Sequence, residues 1–222
     1  LGRVASAVRR LVGAYSLTLL TMDTLLAVRD PNGLRPLCLG YIGANPVVAS
    51  ETCALDHLGA RYERDIEPGE VVAFNNSGQR SIYLRDGQRR AFCVFEYVYL
   101  ARPDSMLEGQ LVYAARQRMG AQLWQEFPAD ADLVVGVPDS AIPAAIGYAD
   151  ASGISYCDGL LRNRYIGRTF ITPGQHLRDL GVQLKFNPLT SAIEGKRLVL
   201  LDDSIVRGTT IPHVVTLLRR AG

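Results

Sequence analysis

Residues 1–90 alternate short apolar runs with turn residues. Ser16–Met22 and Thr24–Val28 are apolar or β-branched runs parted by Asp23, and Leu37–Ile42, Pro46–Ser50, Glu70–Phe74 and Ser81–Arg85 continue the pattern. Between them lie the turn clusters Asp30–Gly33, Glu67–Gly69 and Asn75–Gly78. Such residues supply the dihedral angles that chain reversals need. Closely spaced strands joined by short turns predict an antiparallel sheet. Val4–Val12 reads as the end of an amphipathic helix.

From residue 91 the period changes. Leu111, Ala115, Met119 and Leu123 recur at helical spacing over Leu111–Glu126, so that segment is a predicted helix. Leu133–Val137 is a short apolar strand, Ala141–Ala151 a helix closed by Gly153, and Ile154–Cys157 a strand. Arg197–Asp202 is an apolar strand, and Thr210–Ala221 is a helix. Strands alternating with helices predict a parallel sheet with right-handed crossovers. The composition shift puts a domain boundary near residues 86–92, giving an expected first domain of 1–90 and a second of 91–222. A long polar stretch between Leu161 and Glu194 reads as a functional lid or an unread element. Both ends read as cut, with no initiator Met and a last helix that stops at the final residue.

Composition narrows the classes. Hydrophobic residues are 48% and charged residues 21% of the chain, which argues for an ordinary packed core and against disorder. A net charge of +2 does not point to nucleic acid or a membrane surface. Of the 24 basic residues only Lys185 and Lys196 are lysines; arginine suits phosphate ligands through its planar fork. No apolar run approaches the roughly 18 residues of a membrane helix. Cys38, Cys53, Cys93 and Cys157 are widely spaced, as expected in a reducing cytoplasm. His57, His176 and His213 have no metal-ligand spacing, and Trp124 reads as a packing residue.

The most chemical segment is Leu198–Thr210, LVLLDDSIVRGTT. Its apolar run reads as a buried parallel strand, with Asp202 and Asp203 at the C-terminal end, where open α/β sheets bind ligands. Ser204–Thr210 then forms a turn around Gly208, and a helix starts at Thr209 or Thr210 with Pro212 in its first turn. Main-chain N–H groups of such a turn can hold a phosphate. Because strand residues alternate faces, both carboxylates meet one ligand only if Asp203 already lies in the turn. The plainer reading is a strand end carrying solvated acids before a capped helix. Likewise Asp139–Ser140, after the Leu133–Val137 strand, reads on its own as a helix cap. Arg29, Asp30 and Arg35 read as residues that fix a turn.

The Leu198–Thr210 segment resembles the phosphoribosyl-pyrophosphate (PRPP) signature of type I phosphoribosyltransferases. Phe95–Ser105 (FEYVYLARPDS), Gly136–Ala149 and Leu160–Gln175 resemble amidophosphoribosyltransferases in the same order. Upstream, Gly13–Leu17, Arg29–Leu37, Val48–Thr52 and Glu67–Glu70 resemble the glutaminase domain of class II amidotransferases. The resemblance covers essentially the whole chain. It implies the C-terminal part of an α+β N-terminal-nucleophile sandwich, followed by an α/β type I phosphoribosyltransferase fold with a parallel sheet.

That family makes 5-phosphoribosylamine, pyrophosphate and glutamate from PRPP, glutamine and water, with ammonia passing to the second domain, as the first step of de novo purine synthesis. By resemblance, Asp202 and Asp203 bind the ribose hydroxyls. Ser204, Ile205, Val206, Arg207, Gly208, Thr209 and Thr210 cradle the 5′-phosphate. Asp139 and Ser140 face pyrophosphate, and Ser140, Asp202 and Asp203 surround Mg2+. Arg162–Lys185 matches the family's flexible loop, with Arg164, Tyr165, Arg168 and Lys185 as PRPP contacts. Cys93 matches one ligand of a 4Fe-4S cluster found in part of the family, the others expected beyond residue 222. None of the four cysteines matches the glutaminase nucleophile, so the chain is not expected to hydrolyse glutamine by itself. A homotetramer under purine nucleotide feedback is the family's habit. A salvage phosphoribosyltransferase or a PRPP-sensing regulator would share the Asp202–Thr210 loop but not the upstream half.

Overall fold

The computed structural model describes residues 1–84, 89–163, 165, 185–206, 208 and 210–222, the main chain only at 210. It divides into two compact units, Leu1–Val112 and Tyr113–Gly222.

The first unit holds two antiparallel sheets. β1 (Ser16–Leu20), β2 (Leu25–Arg29), β6 (Glu70–Asn75) and β7 (Gly78–Tyr83) pair in the order β1-β2-β6-β7. β3 (Cys38–Ile42), β4 (Asn45–Ala49) and β5 (Arg61–Asp65) pair in the order β4-β3-β5. Strand alternation decides the packing. Ala27, Val72 and Phe74 face Leu37, Leu39 and Ile66 in one core cluster. Val28 and Val71 turn the other way, onto Ala5 and Val8 of α1 (Gly2–Val8). Beyond the second sheet, Leu55 of α2 (Thr52–His57) packs against Cys38 and Ala60. The layers therefore run helix, sheet, sheet, helix. β2 and β6 are buried on both faces, which is why they read as unbroken apolar runs.

The compact first unit ends later than the compositional change at 86–92. The Ala91 and Cys93 N–H groups donate to the carbonyls of Asn32 and Leu34 at 2.8 and 3.1 Å, tying this stretch to the first unit. Glu96–Leu100 winds as a π-helix, and β8 (Met106–Leu107) pairs with β9 (Gln110–Leu111) in a small hairpin.

In the second unit β10 (Leu133–Gly136) lies between β11 (Ser155–Tyr156) and β14 (Leu198–Leu201), all parallel. Helices cover both faces, as parallel sheets require. Val134 and Leu201 pack with Ala145, Tyr148 and Ala149 of α4 (Ile142–Ser152). Val135 packs with Val214 and Leu218 of α6 (Thr210–Arg220). α3 (Val112–Glu126) reaches α4 where glycines meet: a Cβ on Gly147 would stand 2.0 Å from the Gln117 carbonyl oxygen. The stretch read as polar contains β12 (Leu160–Arg162) paired antiparallel with β13 (Phe186–Pro188), then the short α5 (Thr190–Ile193). No helix among the described residues is long and apolar enough to cross a membrane.

Candidate functional site

The parallel register fixes where the chemistry gathers. β10 and β14 run side by side from Leu133↔Leu198 to Gly136↔Leu201, and the Val137 N–H donates to the Leu201 carbonyl at 2.8 Å. Both strands thus end at one edge of the sheet, and the residues that follow them are neighbours. From β10 come Pro138, Asp139 and Ser140. From β14 come Asp202, Asp203 and Ser204.

β14 stops at Leu201, so Asp203 lies in the turn, the condition for both carboxylates to face one ligand. The Ser140 hydroxyl donates to Asp203 Oδ2, and Ser204 Oγ donates to Asp203 Oδ1 at 2.6 Å. The Asp203 N–H donates to Asp202 Oδ1 at 2.9 Å. Burial pushes the Asp202 carboxyl up, the Asp203 charge adds to this, and the Asp203 N–H and Lys185 oppose it; the net shift is upward. Ionisation of Asp202 is therefore disfavoured, first of all by its burial.

Past the acids the turn opens to solvent. Ile205 and Val206 are 74% and 86% exposed. Gly208 has φ +66°, a left-handed conformation that glycine adopts without a Cβ penalty. Arg207, Thr209 and the Thr210 side chain, expected at a phosphate, lie outside the described residues, as do Arg164 and Arg168. Tyr165 is described and fully exposed, its N–H donating to Asn163 Oδ1 at 3.0 Å.

Lys185 sits just before β13 with its Nζ 5.1 Å from the centre of the Phe186 ring. Burial lowers its pKa, the neighbouring Arg162 charge lowers it further, and Asp202 and Asp139 pull it back. Four charged groups of alternating sign thus gather here. Arg162 is the member that the sequence reading missed: its Nη1 donates to Asp139 Oδ2 at 2.8 Å. The only sequence signal was another arginine in an arginine-rich stretch.

The oxygen donors of Asp202, Asp203 and Ser140 suit a hard cation such as Mg2+, which keeps waters or substrate oxygens in its shell. Among the described residues no group of three or more His, Cys, Asp or Glu could hold a metal by itself, so substrate oxygens would complete such a shell. A 4Fe-4S cluster takes four thiolates. Cys93 is half-buried and stands in no such group among the described residues; this chain offers it as one candidate ligand, and the other three are expected outside these residues. All four cysteines are free thiols.

No family model matches the chain. Individual relatives do. The amidophosphoribosyltransferase of Synechococcus elongatus is 51% identical over 100% of this chain and 46% of its own length. That of Mycobacterium tuberculosis is 54% identical over 95% of this chain and 40% of its own. The chain is homologous to amidophosphoribosyltransferases along its whole length. It spans about half the length of the curated relatives it matches. The glutamine PRPP amidotransferase of B. subtilis, solved with ADP and GMP, superposes with a TM-score of 0.92 at 49% identity, over 100% of this chain and 49% of that one. A second solved structure, an allosteric regulatory enzyme of purine biosynthesis, gives 0.91 at 49% identity. The parallel sheet of the second unit is consistent with the phosphoribosyltransferase fold of these amidophosphoribosyltransferases.

Proposed function

We propose that this chain carries the PRPP site of a glutamine-dependent amidophosphoribosyltransferase, which makes 5-phosphoribosylamine, pyrophosphate and glutamate from PRPP, glutamine and water at the start of de novo purine synthesis. One observation carries the reading: two acids and two serines from neighbouring parallel strands converge at the carboxyl edge of the sheet, where α/β folds bind ligands.

Asp202 and Asp203 hold the ribose hydroxyls, as acceptors for two O–H donors. The turn from Ser204 to Thr210 holds the 5′-phosphate with main-chain N–H groups, with Arg207 and Thr209 as side-chain contributors. Asp139 and Ser140 meet the pyrophosphate, and Lys185, with Arg164, Tyr165 and Arg168, closes over the substrate. In the reaction the nitrogen lone pair of ammonia forms a bond to C1 of the ribose, and the C1–O bond breaks with its electrons leaving on pyrophosphate. Positioned donors and cations that meet this growing charge supply most of the rate. Mg2+, held by Ser140, Asp202, Asp203 and substrate oxygens, would neutralise part of it.

For the first unit we infer the C-terminal part of a class II, N-terminal-nucleophile glutaminase sandwich. The helix, sheet, sheet, helix layering within Leu1–Val112 supports this. Function is allotted by sequence as 1–90 to that domain and 91–222 to the phosphoribosyltransferase, although 91–112 pack with the first unit. By the family resemblance none of Cys38, Cys53, Cys93 and Cys157 is the glutaminase nucleophile, so this chain is not expected to hydrolyse glutamine by itself. Purine nucleotides as feedback inhibitors, a homotetramer and a cytoplasmic setting are part of the same proposal; the ADP and GMP of the B. subtilis structure support the first.

The test is calorimetric titration of PRPP with and without Mg2+ into the parent chain and into Asp202→Asn/Asp203→Asn. The proposal expects Mg2+-dependent binding that the double variant loses. Equal affinity in both would overturn it.

A further inference from the structure

Arg162 stands on fixed main chain. It ends β12 opposite Phe186, and the Asn163 N–H donates to the Lys185 carbonyl at 2.8 Å. The hairpin is anchored in the core of its unit, where Leu160 and Phe186 pack with Val135 and Ile193. The Leu189 N–H donates to the Gly159 carbonyl at 3.0 Å, and a Cβ on Gly159 would meet Ile193 at 2.7 Å. Asp139 is placed differently: its side chain is 71% exposed, between the end of β10 and the start of α4. Among the described residues the side chains of its turn have two fastenings. Ser140 donates to Asp203, and Asp139 accepts from Arg162.

An ion pair this exposed contributes little to global stability. It does, however, join an anchored hairpin to a turn that is not itself a helix or strand. Arg162 also raises the cost of the Lys185 ammonium, so pairing with Asp139 keeps two cations together at the site edge. We propose that Arg162 is a positioning residue that acts through Asp139, holding the 138–140 turn so that Ser140 stays against Asp203. Its consequence for ligand affinity rests on the PRPP reading above; its effect on the turn does not. The contact uses one guanidinium nitrogen, so a lysine of adequate reach can replace it, unlike an arginine in a two-pronged pair.

The test compares the parent chain with Arg162→Gln, Arg162→Lys, Asp139→Asn and the Arg162→Gln/Asp139→Asn double variant. Amide hydrogen exchange of residues 139–141 is followed without ligand, and Mg2+–PRPP titration follows. Exchange in the turn should quicken about three- to fivefold in Arg162→Gln, to the same extent in Asp139→Asn and no further in the double variant. Arg162→Lys should stay near the parent, and PRPP affinity should fall by the same non-additive factor. Unchanged exchange in Arg162→Gln overturns the proposal. So does an additive loss of affinity in the double variant, which would mean that Arg162 touches the ligand itself. A parent chain that fails to bind PRPP would refute the substrate reading alone, because the exchange result still decides the positioning role.

Discussion

Arg64 and Glu70 are joined by two parallel hydrogen bonds, Nη1 to Oε2 and Nη2 to Oε1, each 2.8 Å long. Glu70 is buried at the start of β6, and its carboxylate also accepts from Ser81 Oγ at 2.6 Å and the Glu67 N–H at 2.9 Å. A carboxylate in this position is tolerable only because every oxygen is occupied.

The pair predicts an acid-sensitive first unit. Burial pushes the Glu70 carboxyl up, but Arg64, Ser81 and the Glu67 N–H together outweigh it, and the group ends below its ordinary 4.5. A depressed carboxyl contributes stability that is full above the ordinary value and lost as pH falls through the folded one. Glu70→Gln should therefore cost about 2 kcal/mol at pH 7, with the gap to the parent closing below about pH 4.5. Urea midpoints at pH 7, 5 and 3 measure this. A gap that stays constant would contradict it.

Arg29 makes a second prediction in the same unit. It is 2% exposed, and its guanidinium donates to the carbonyls of Arg35, Ile66 and Gly33 and to Glu108 Oε1, at 2.8 to 3.2 Å. No lysine ammonium can span those four acceptors. Arg29→Lys should lose about 3 kcal/mol in chemical denaturation, although charge is conserved. A loss under about 0.5 kcal/mol, the scale of a surface substitution, would show that the network is dispensable.

Gly120 and Gly147 should refuse alanine. In an open helix that change gains about 1 kcal/mol of propensity. Here a Cβ on Gly120 would stand 1.8 Å from the Ala144 carbonyl oxygen, so α3 and α4 must part. Gly120→Ala and Gly147→Ala should each destabilise by about 3 kcal/mol, read as a fall in Tm. A rise in Tm for either would mean that the helices separate freely.

What could be read beforehand follows from the physics of each segment. Leu198–Leu201 and Leu133–Gly136 were legible because strands buried on both faces are unbroken apolar runs. α3 was legible from apolar residues recurring at helical spacing, and α4 from an apolar run closed by Gly153, which takes the left-handed conformation at its C-terminal cap. β5, Arg61–Asp65, was not, since four of its five residues are charged and its partner is a single strand, β3. The hairpin of β12 and β13 was hidden for another reason: its strands have three residues each and sit far apart in sequence, so no local period exists. At the site, the Asp202–Asp203 pair announced itself as adjacent acids after a buried strand. The Arg162–Asp139 contact joins residues 23 apart, one following β10 of the parallel sheet and the other on the antiparallel hairpin of β12 and β13, so no local spacing foretells it.

Asp202 gives the sharpest test of a buried carboxylate kept for a ligand. Its folded carboxyl lies above the ordinary 3.8, first because of burial and then because of Asp203. A raised carboxyl stabilises the fold fully below the ordinary value, and that contribution is lost as pH rises through the folded one. At pH 7 the ionised group is thus a burden on the ligand-free chain. Asp202→Asn removes the charge while its amide oxygen can still accept the Asp203 N–H. The variant should melt about 1–3 °C above the parent at pH 7, with the advantage gone below pH 3.8. The same change should weaken Mg2+–PRPP binding about ten- to a hundredfold, because a charged acceptor becomes a neutral one. Thermal melts at both pH values and a titration at pH 7 measure the two effects together. A variant less stable than its parent at pH 7 would mean that Asp202 is held by the fold itself and not reserved for a ligand.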